Sequence, residues 1–120
     1  MTNIIFETQQ SFYEYINNVS NGSQEISDAL REDRIGESLG MIIQFTEGVG
    51  WISQVISLMQ EQNYFIDIDT SQIHEFLEEI NDGLEIQDFI VVADMFEYEI
   101  QPFFEEAAKK SFNEIKDDEE

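Results

Sequence analysis

The sequence predicts an all-α fold, either a four-helix bundle or two stacked antiparallel α-hairpins, with the last helix kinked at a proline. Three observations carry that expectation. The chain of 120 residues contains one proline, Pro102, so the backbone meets almost no helix breaker. Alternation of β-branched with polar residues is nearly absent. Apolar residues recur instead at intervals of three and four along most of the length, which is the period of an amphipathic helix.

The first helix is expected from Ile4 to Asp33, where Phe12, Ile16, Val19, Ser23, Ile26 and Leu30 share one stripe. Asn21-Gly22-Ser23 lies in its middle. A break there would reset the apolar phase, whereas the phase runs through unchanged, so the spacing favours one long helix carrying a costly glycine. The second helix is expected from Ser38 to Gln62, with Leu39, Ile42, Phe45, Val49, Ile52, Ile56 and Met59 on its main face. Trp51, Val55 and Leu58 widen that face, as suits an inner helix with more than one neighbour. A mixed segment, Asn63 to Thr70, follows, and Asp67, Asp69, Thr70 and Ser71 are candidate N-caps for the next helix.

The third helix spans Ser71 to Ile86 with Ile73, Phe76, Leu77, Ile80 and Leu84 apolar, unless Gly83 ends it early. Asp88 is the N-cap of the fourth, which runs to about Ala108 with Phe89, Val92, Ala93, Phe96, Ile100, Phe103 and Phe104 inward. Pro102 removes the hydrogen bond to the Tyr98 carbonyl and crowds that turn, hence the expected kink. Residues 1–112 form a single helical domain, and Asn113 to Glu120 an acidic tail expected to fray. Two stretches about fifty residues apart, Leu30 to Gln44 around Glu37-Ser38-Leu39 and Ile80 to Asp94 around Gln87-Asp88-Phe89, suggest similar hairpins, although any two amphipathic hairpins share this much. Such short connections favour antiparallel neighbours.

Charge is the compositional outlier. Against 27 acidic residues stand 5 basic ones, a formal net charge of −22 that disfavours direct contact with nucleic acid or anionic membrane and steers association toward basic surfaces. Solubility alone would also account for it. Ten Phe, four Tyr and one Trp supply enough large side chains for a core. Cysteine is absent, which removes disulfides, a thiol nucleophile and thiolate metal sites and fits a reducing compartment. The start Met-Thr-Asn-Ile-Ile-Phe-Glu lacks the pattern of a signal peptide, and no apolar run reaches membrane-spanning length, so a cytoplasmic setting is expected.

No pattern identifies an enzyme. Acid–base chemistry needs two carboxyls with separated proton affinities in a partly apolar cleft, and Glu47 and Glu97, though set among apolar neighbours, project off their helical stripes toward solvent. His74 is the only histidine, too few for a pair of Glu-x-x-His units, and no nucleophile-elbow sequence accompanies it. One metal pattern remains. Asp67, Asp69, Ser71, Glu75 and Glu78 fall at oxygen-donor positions of an EF-hand register, but Gln72 stands where the loop needs glycine and His74 where an apolar residue usually sits, so helix capping explains the same residues. No catalytic, cofactor-binding or metal residue is assigned, and no cofactor is expected.

Interior glycines at Gly36, Gly40, Gly48 and Gly50 each cost about 0.5–1 kcal/mol relative to alanine. Gly40 and Gly48, two turns apart, suit close approach of another helix or a groove for a partner's side chain. Tyr13, Tyr15, Tyr64, Phe65 and Tyr98 lie off the main stripes; Tyr64, Phe65 and Tyr98 are the candidate partner-binding residues.

The run Phe45-Thr46-Glu47-Gly48-Val49-Gly50-Trp51-Ile52 through Ser57-Leu58-Met59, with Asp88-Phe89-Ile90-Val91-Val92-Ala93-Asp94-Met95-Phe96 through Pro102, resembles a group of small uncharacterised acidic helical proteins of Gram-positive bacteria. The likeness covers most of the chain after Leu30. It implies a helical fold and a bacterial cytoplasmic setting, and it carries over no functional residue.

The function expected is that of a non-enzymatic interaction or regulatory module that recognises another protein bearing a basic surface. A polyanion mimic, inhibiting a nuclease or other DNA-binding protein, is the alternative, and a calcium-responsive module a weaker one. Exposed helix faces equally suit a homodimer.

Overall fold

The computed structural model describes residues 2–115 and is all-helical but for one two-stranded ladder. Helix α1 (Thr2–Arg31) is unbroken. Its stripe of Phe12, Ile16, Val19, Ser23, Ile26 and Leu30 is wholly buried, and Gly22 sits within the helix with nothing within 4 Å of where a Cβ would be. Ser23 keeps the stripe satisfied by donating its hydroxyl to the Val19 carbonyl at 2.9 Å. Helix α2 (Ile35–Glu61) starts three residues before the expected Ser38, which is itself buried and donates its hydroxyl to the Arg34 carbonyl. Where α1 and α2 cross, Gly48 receives the Tyr15 ring, whose hydroxyl occupies the space of a Cβ. Gly40 meets no neighbour.

Helix α3 (Thr70–Glu85) is capped by Asp69, whose carboxylate accepts from the Ser71 N–H at 3.0 Å, and helix α4 (Phe89–Met95) by Asp88, which accepts from the Val91 N–H. Gly83 does not end α3. It is buried, and a Cβ there would stand 2.7 Å from a Val92 methyl, so the glycine lets α4 close on α3.

Both hairpins turn through one motif. After α1, Asp33 has φ 64 and donates to the Leu30 carbonyl while Arg34 donates to that of Ala29; after α3, Gln87 has φ 58 and donates to Leu84 while Asp88 donates to Gly83. These are two Schellman ends, and in each the next residue is already the N-cap of the following helix. The true equivalence is Asp33-Arg34-Ile35 with Gln87-Asp88-Phe89. The expected match to Glu37-Ser38-Leu39 is one helical turn out of register, because a left-handed aspartate ends α1 without any glycine to mark the spot.

Beyond Met95 the chain enters a π-helical turn (Phe96–Ile100) and resumes as helix α5 (Gln101–Ala107). The cause is visible in the spacing. Val92, Phe96, Ile100 and Phe104 are all buried at strict four-residue intervals, and in an α-helix each such step overshoots by about 40°, or about 120° over three. One extra residue in a turn takes back about 100° and returns the four side chains to one face. Gln101 accordingly donates to the Phe96 carbonyl, five residues back, and Pro102 follows where its missing N–H falls next to the widened turn. The irregularity expected at Pro102 thus takes this form.

Asn63, at φ 67, ends α2, and the chain then runs extended. Strand β1 (Tyr64–Phe65) pairs antiparallel with β2 (Asn113–Glu114), Tyr64 opposite Glu114. The helical reading contained no such ladder. Phe112 is buried against Phe12 with ring centroids 5.0 Å apart, its N–H donates to the Tyr13 hydroxyl at 2.9 Å, and Ile115 donates to the Asn63 carbonyl. Asn113 and Glu114, placed in the fraying tail by sequence, are therefore held in a ladder; residues 116–120 of that tail lie outside the described residues.

Helix α1 is the common partner of α2, α4, the π turn and α5, while α3 leans on α4 and barely touches α2. Phe45 closes the interior edge-on to Phe96 at 5.1 Å, and Phe76 ties α3 to Phe103 at 5.4 Å. The body measures 55 × 24 × 20 Å.

Two glycines in adjacent helices should respond in opposite directions. Gly22→Ala meets open space and is expected to stabilise by about 0.5–1 kcal/mol, whereas Gly48→Ala collides with Tyr15 and should cost about 1–3 kcal/mol, both read from urea unfolding. Gln87→Gly relieves a left-handed residue that is not asparagine or glycine and should raise stability by about 1 kcal/mol in the same assay.

Candidate functional site

The electrostatic surface is set by how few cations there are and how they are used. Arg31 reaches Asp94 at 2.7 Å and Glu97 at 3.0 Å; Arg34 reaches Glu37 at 2.8 Å and Glu32 at 2.9 Å; Lys109 pairs with Glu106 at 3.0 Å and Lys110 with Asp67 at 3.6 Å. Among the described residues every basic side chain is thus neutralised by a carboxylate. Such solvated pairs add little stability, but they leave the acidic field unopposed. The hydrogen bond to Asp94, with a further one to Glu97, holds the Arg31 guanidinium above its usual range.

Glu97 departs from expectation. It lies in the π turn, half-buried, and accepts from Arg31 and from the hydroxyl of the buried Ser27. The changed helical phase turns it back toward α1. Glu47 is exposed as expected.

An open apolar groove of about 310 Å³ lies between α2 and α3, where these helices diverge. Its floor is Ile42 and Ile80, and its walls are Ile43 on α2 and Leu77 and Leu84 on α3. Ile43 is 60% exposed, well beyond what a core-facing isoleucine shows. Glu47 stands on one rim; beyond the other, Glu78 and Asp82 border a shallow depression that shares Leu77 and Asn81 with the groove. Along the exposed side of α2, Gly36, Gly40 and Gly50 leave open space where a Cβ would be. Among the described residues no contact recovers their cost in helix propensity.

A second, smaller cleft of about 160 Å³ opens between α1 and α2, lined by Tyr15, Gly22, Glu25, Met41 and Gln44 among others. Burial pushes the Tyr15 hydroxyl above the ordinary tyrosine value of 10.0.

The three residues expected to bind a partner do not converge. Tyr64 is half-buried with its ring edge-on to Phe6 at 6.3 Å, and Phe65 and Tyr98 are exposed. Tyr98 follows Glu97, which bonds Ser27, so along α1 it lies roughly 30 Å from the Phe6–Tyr64 contact. Sequence reasoning missed Ile43 altogether and put Leu39 on the main face of α2, where it is exposed; Leu77 and Leu84, read as apolar, are half-buried against the core. The available signal was their offset from the main stripes: Leu39 and Ile43 form an i, i+4 pair, and Leu77 and Leu84 an i, i+7 pair, each flanking a face already filled.

The EF-hand register is not laid out as a loop, because residues from Thr70 onward are helical and Asp69 is engaged by the Ser71 hydroxyl at 2.6 Å. That bond, with the backbone N–H groups behind it, lowers the Asp69 carboxyl below its ordinary value. Among the described residues no group of three or more His, Cys, Asp or Glu side chains could hold a metal ion. No helix among them is long and apolar enough to cross a membrane.

The model of a family described as a domain of unknown function, DUF8042, matches residues 7–110. No curated protein and no solved structure matches the chain.

Tyr15 generates a pH prediction. Its folded value lies above its unfolded one, so the stability it protects is complete below about pH 10 and is lost as pH rises through the folded value. An ultraviolet titration should show a phenol step above the free-tyrosine value, and Tyr15→Phe should remove it.

Proposed function

The chain belongs to the DUF8042 family, and we propose that it is a non-enzymatic interaction or regulatory module that binds another protein through that partner's basic surface. The observation that carries this reading is an apolar groove with carboxylates beside it, on a body whose described cations are all paired. Opposite charge would steer encounter over a Debye length of about 8 Å at physiological salt. Burial of apolar side chains would then supply most of the affinity. The acidic field argues against direct binding to nucleic acid or anionic membrane, and a Gram-positive bacterial cytoplasm is the setting we propose.

Polyanion mimicry is the second reading, and the body's shape favours it. A cross-section of 24 × 20 Å along 55 Å is rod-like, and a duplex of that length carries about 32 negative charges against a net −22 here.

Affinity capture from host lysate, washed at about 0.15 M and about 0.5 M salt, separates the two because exposed charge pairs are screened while buried apolar contacts persist. Retention of one partner through both washes, undisturbed by added duplex DNA, is expected. A DNA-binding protein lost at high salt and displaced by duplex would transfer the case to mimicry, and retention of nothing would sink both.

A further inference from the structure

We infer that the α2–α3 groove takes an amphipathic helix with a basic polar face, an assignment that rests on the proposed interaction module and names its ligand. The groove wall from Leu77 to Leu84 spans seven residues, or about 10 Å, two helical turns. That length suits apolar anchors at i, i+3 or i+4, and i+7 of an incoming helix, the spacing with which helices enter grooves. Exposed Ile43, with the outer sides of the half-buried Leu77 and Leu84, presents the apolar surface such anchors would cover.

Glycines on the same helical face of α2 as Ile43 serve the same geometry. With no side chain at Gly36, Gly40 or Gly50, a helix resting against Ile43 approaches the α2 backbone closely, and three otherwise unrecovered propensity costs acquire a reason.

Charge selects the partner's chemistry. Glu47 on the α2 side, and Glu78 and Asp82 on the α3 side, would flank the bound helix on both edges, where Lys or Arg next to the anchors would meet them. A second copy of this chain is a poor occupant, since two bodies of net −22 would be brought together with Glu47 beside the contact.

The test uses the full chain and three labelled peptides of about 18 residues, long enough for measurable helicity. One has Leu at i, i+3, i+4 and i+7 positions with Lys elsewhere; the second has the same composition in strict alternation; the third replaces Lys by Glu. Fluorescence anisotropy at about 0.15 M salt should show the helical Leu–Lys peptide bound at least tenfold more tightly than its alternating isomer, with the Leu–Glu peptide unbound. Ile43→Glu should weaken the first peptide at least tenfold although it adds a negative charge, while Phe65→Ala and Tyr98→Ala leave it unchanged. Ile43 is exposed, so circular dichroism should report an intact fold.

Equal affinity for both basic peptides, or indifference to Ile43→Glu, would overturn the groove assignment and leave the acidic module standing. Tight binding of the Leu–Glu peptide would overturn the basic chemistry. A dimer in light scattering that Ile43→Glu dissolves would hand the groove to a second copy, and failure of both basic peptides to bind at about 1 mM would remove the module reading as well.

Discussion

Everything in this fold hangs on the unbroken phase of one helix. The buried stripe of α1, from Phe12 to Leu30, is the surface on which α2, α4, the π turn and α5 are all assembled, and Gly22 in its middle leaves that phase intact. A helix is held mainly by what its apolar face buries, not by the propensity of each residue. One glycine without neighbours therefore costs less than the loss of half the stripe. The neighbours in turn fit themselves to α1: Gly48 yields its Cβ space to Tyr15, and the fourth helical run widens by a residue to keep four side chains facing inward.

Much of this was legible in the residues. Intervals alternating between three and four, as in Phe12, Ile16, Val19, Ser23, Ile26 and Leu30, announce an ordinary α-helix, and the caps Asp69 and Asp88 stand where their side chains have a free N–H to meet. The intervals of four from Val92 to Phe104 carried further information, a π turn, which Pro102 obscured by offering a familiar reason for a bend. The first hairpin was misplaced by one turn because Asp33 adopts a left-handed conformation that sequence signals usually reserve for glycine or asparagine. Ladder β1–β2 was beyond reach for another reason. Two residues per strand leave no alternation to detect, and their pairing depends on Phe112 finding the Phe12 and Tyr13 rings.

The groove shows where one-dimensional reasoning runs out. Tyr64, Phe65 and Tyr98 are conspicuous as off-stripe aromatics, but the fold sets Tyr98 far from the Tyr64–Phe65 strand. Ile43, Leu77 and Leu84 are unremarkable until two diverging helices place them on facing walls. Strong net charge and an open apolar surface also coexist without conflict here: like charge between copies opposes self-association at long range, which lets a protein keep such a surface uncovered.

The closure of the chain on itself has a consequence for how the molecule is made. Phe112 against Phe12, the Tyr13 hydroxyl on the Phe112 amide, and α5 along α1 join parts of the sequence about one hundred residues apart. Contacts of that separation form late, because most of the chain must be ordered before they are rewarded. A growing chain would therefore leave part of the α1 stripe uncovered until Phe112 has been added. Until that point it is the acidic surface already made that keeps partly folded copies apart.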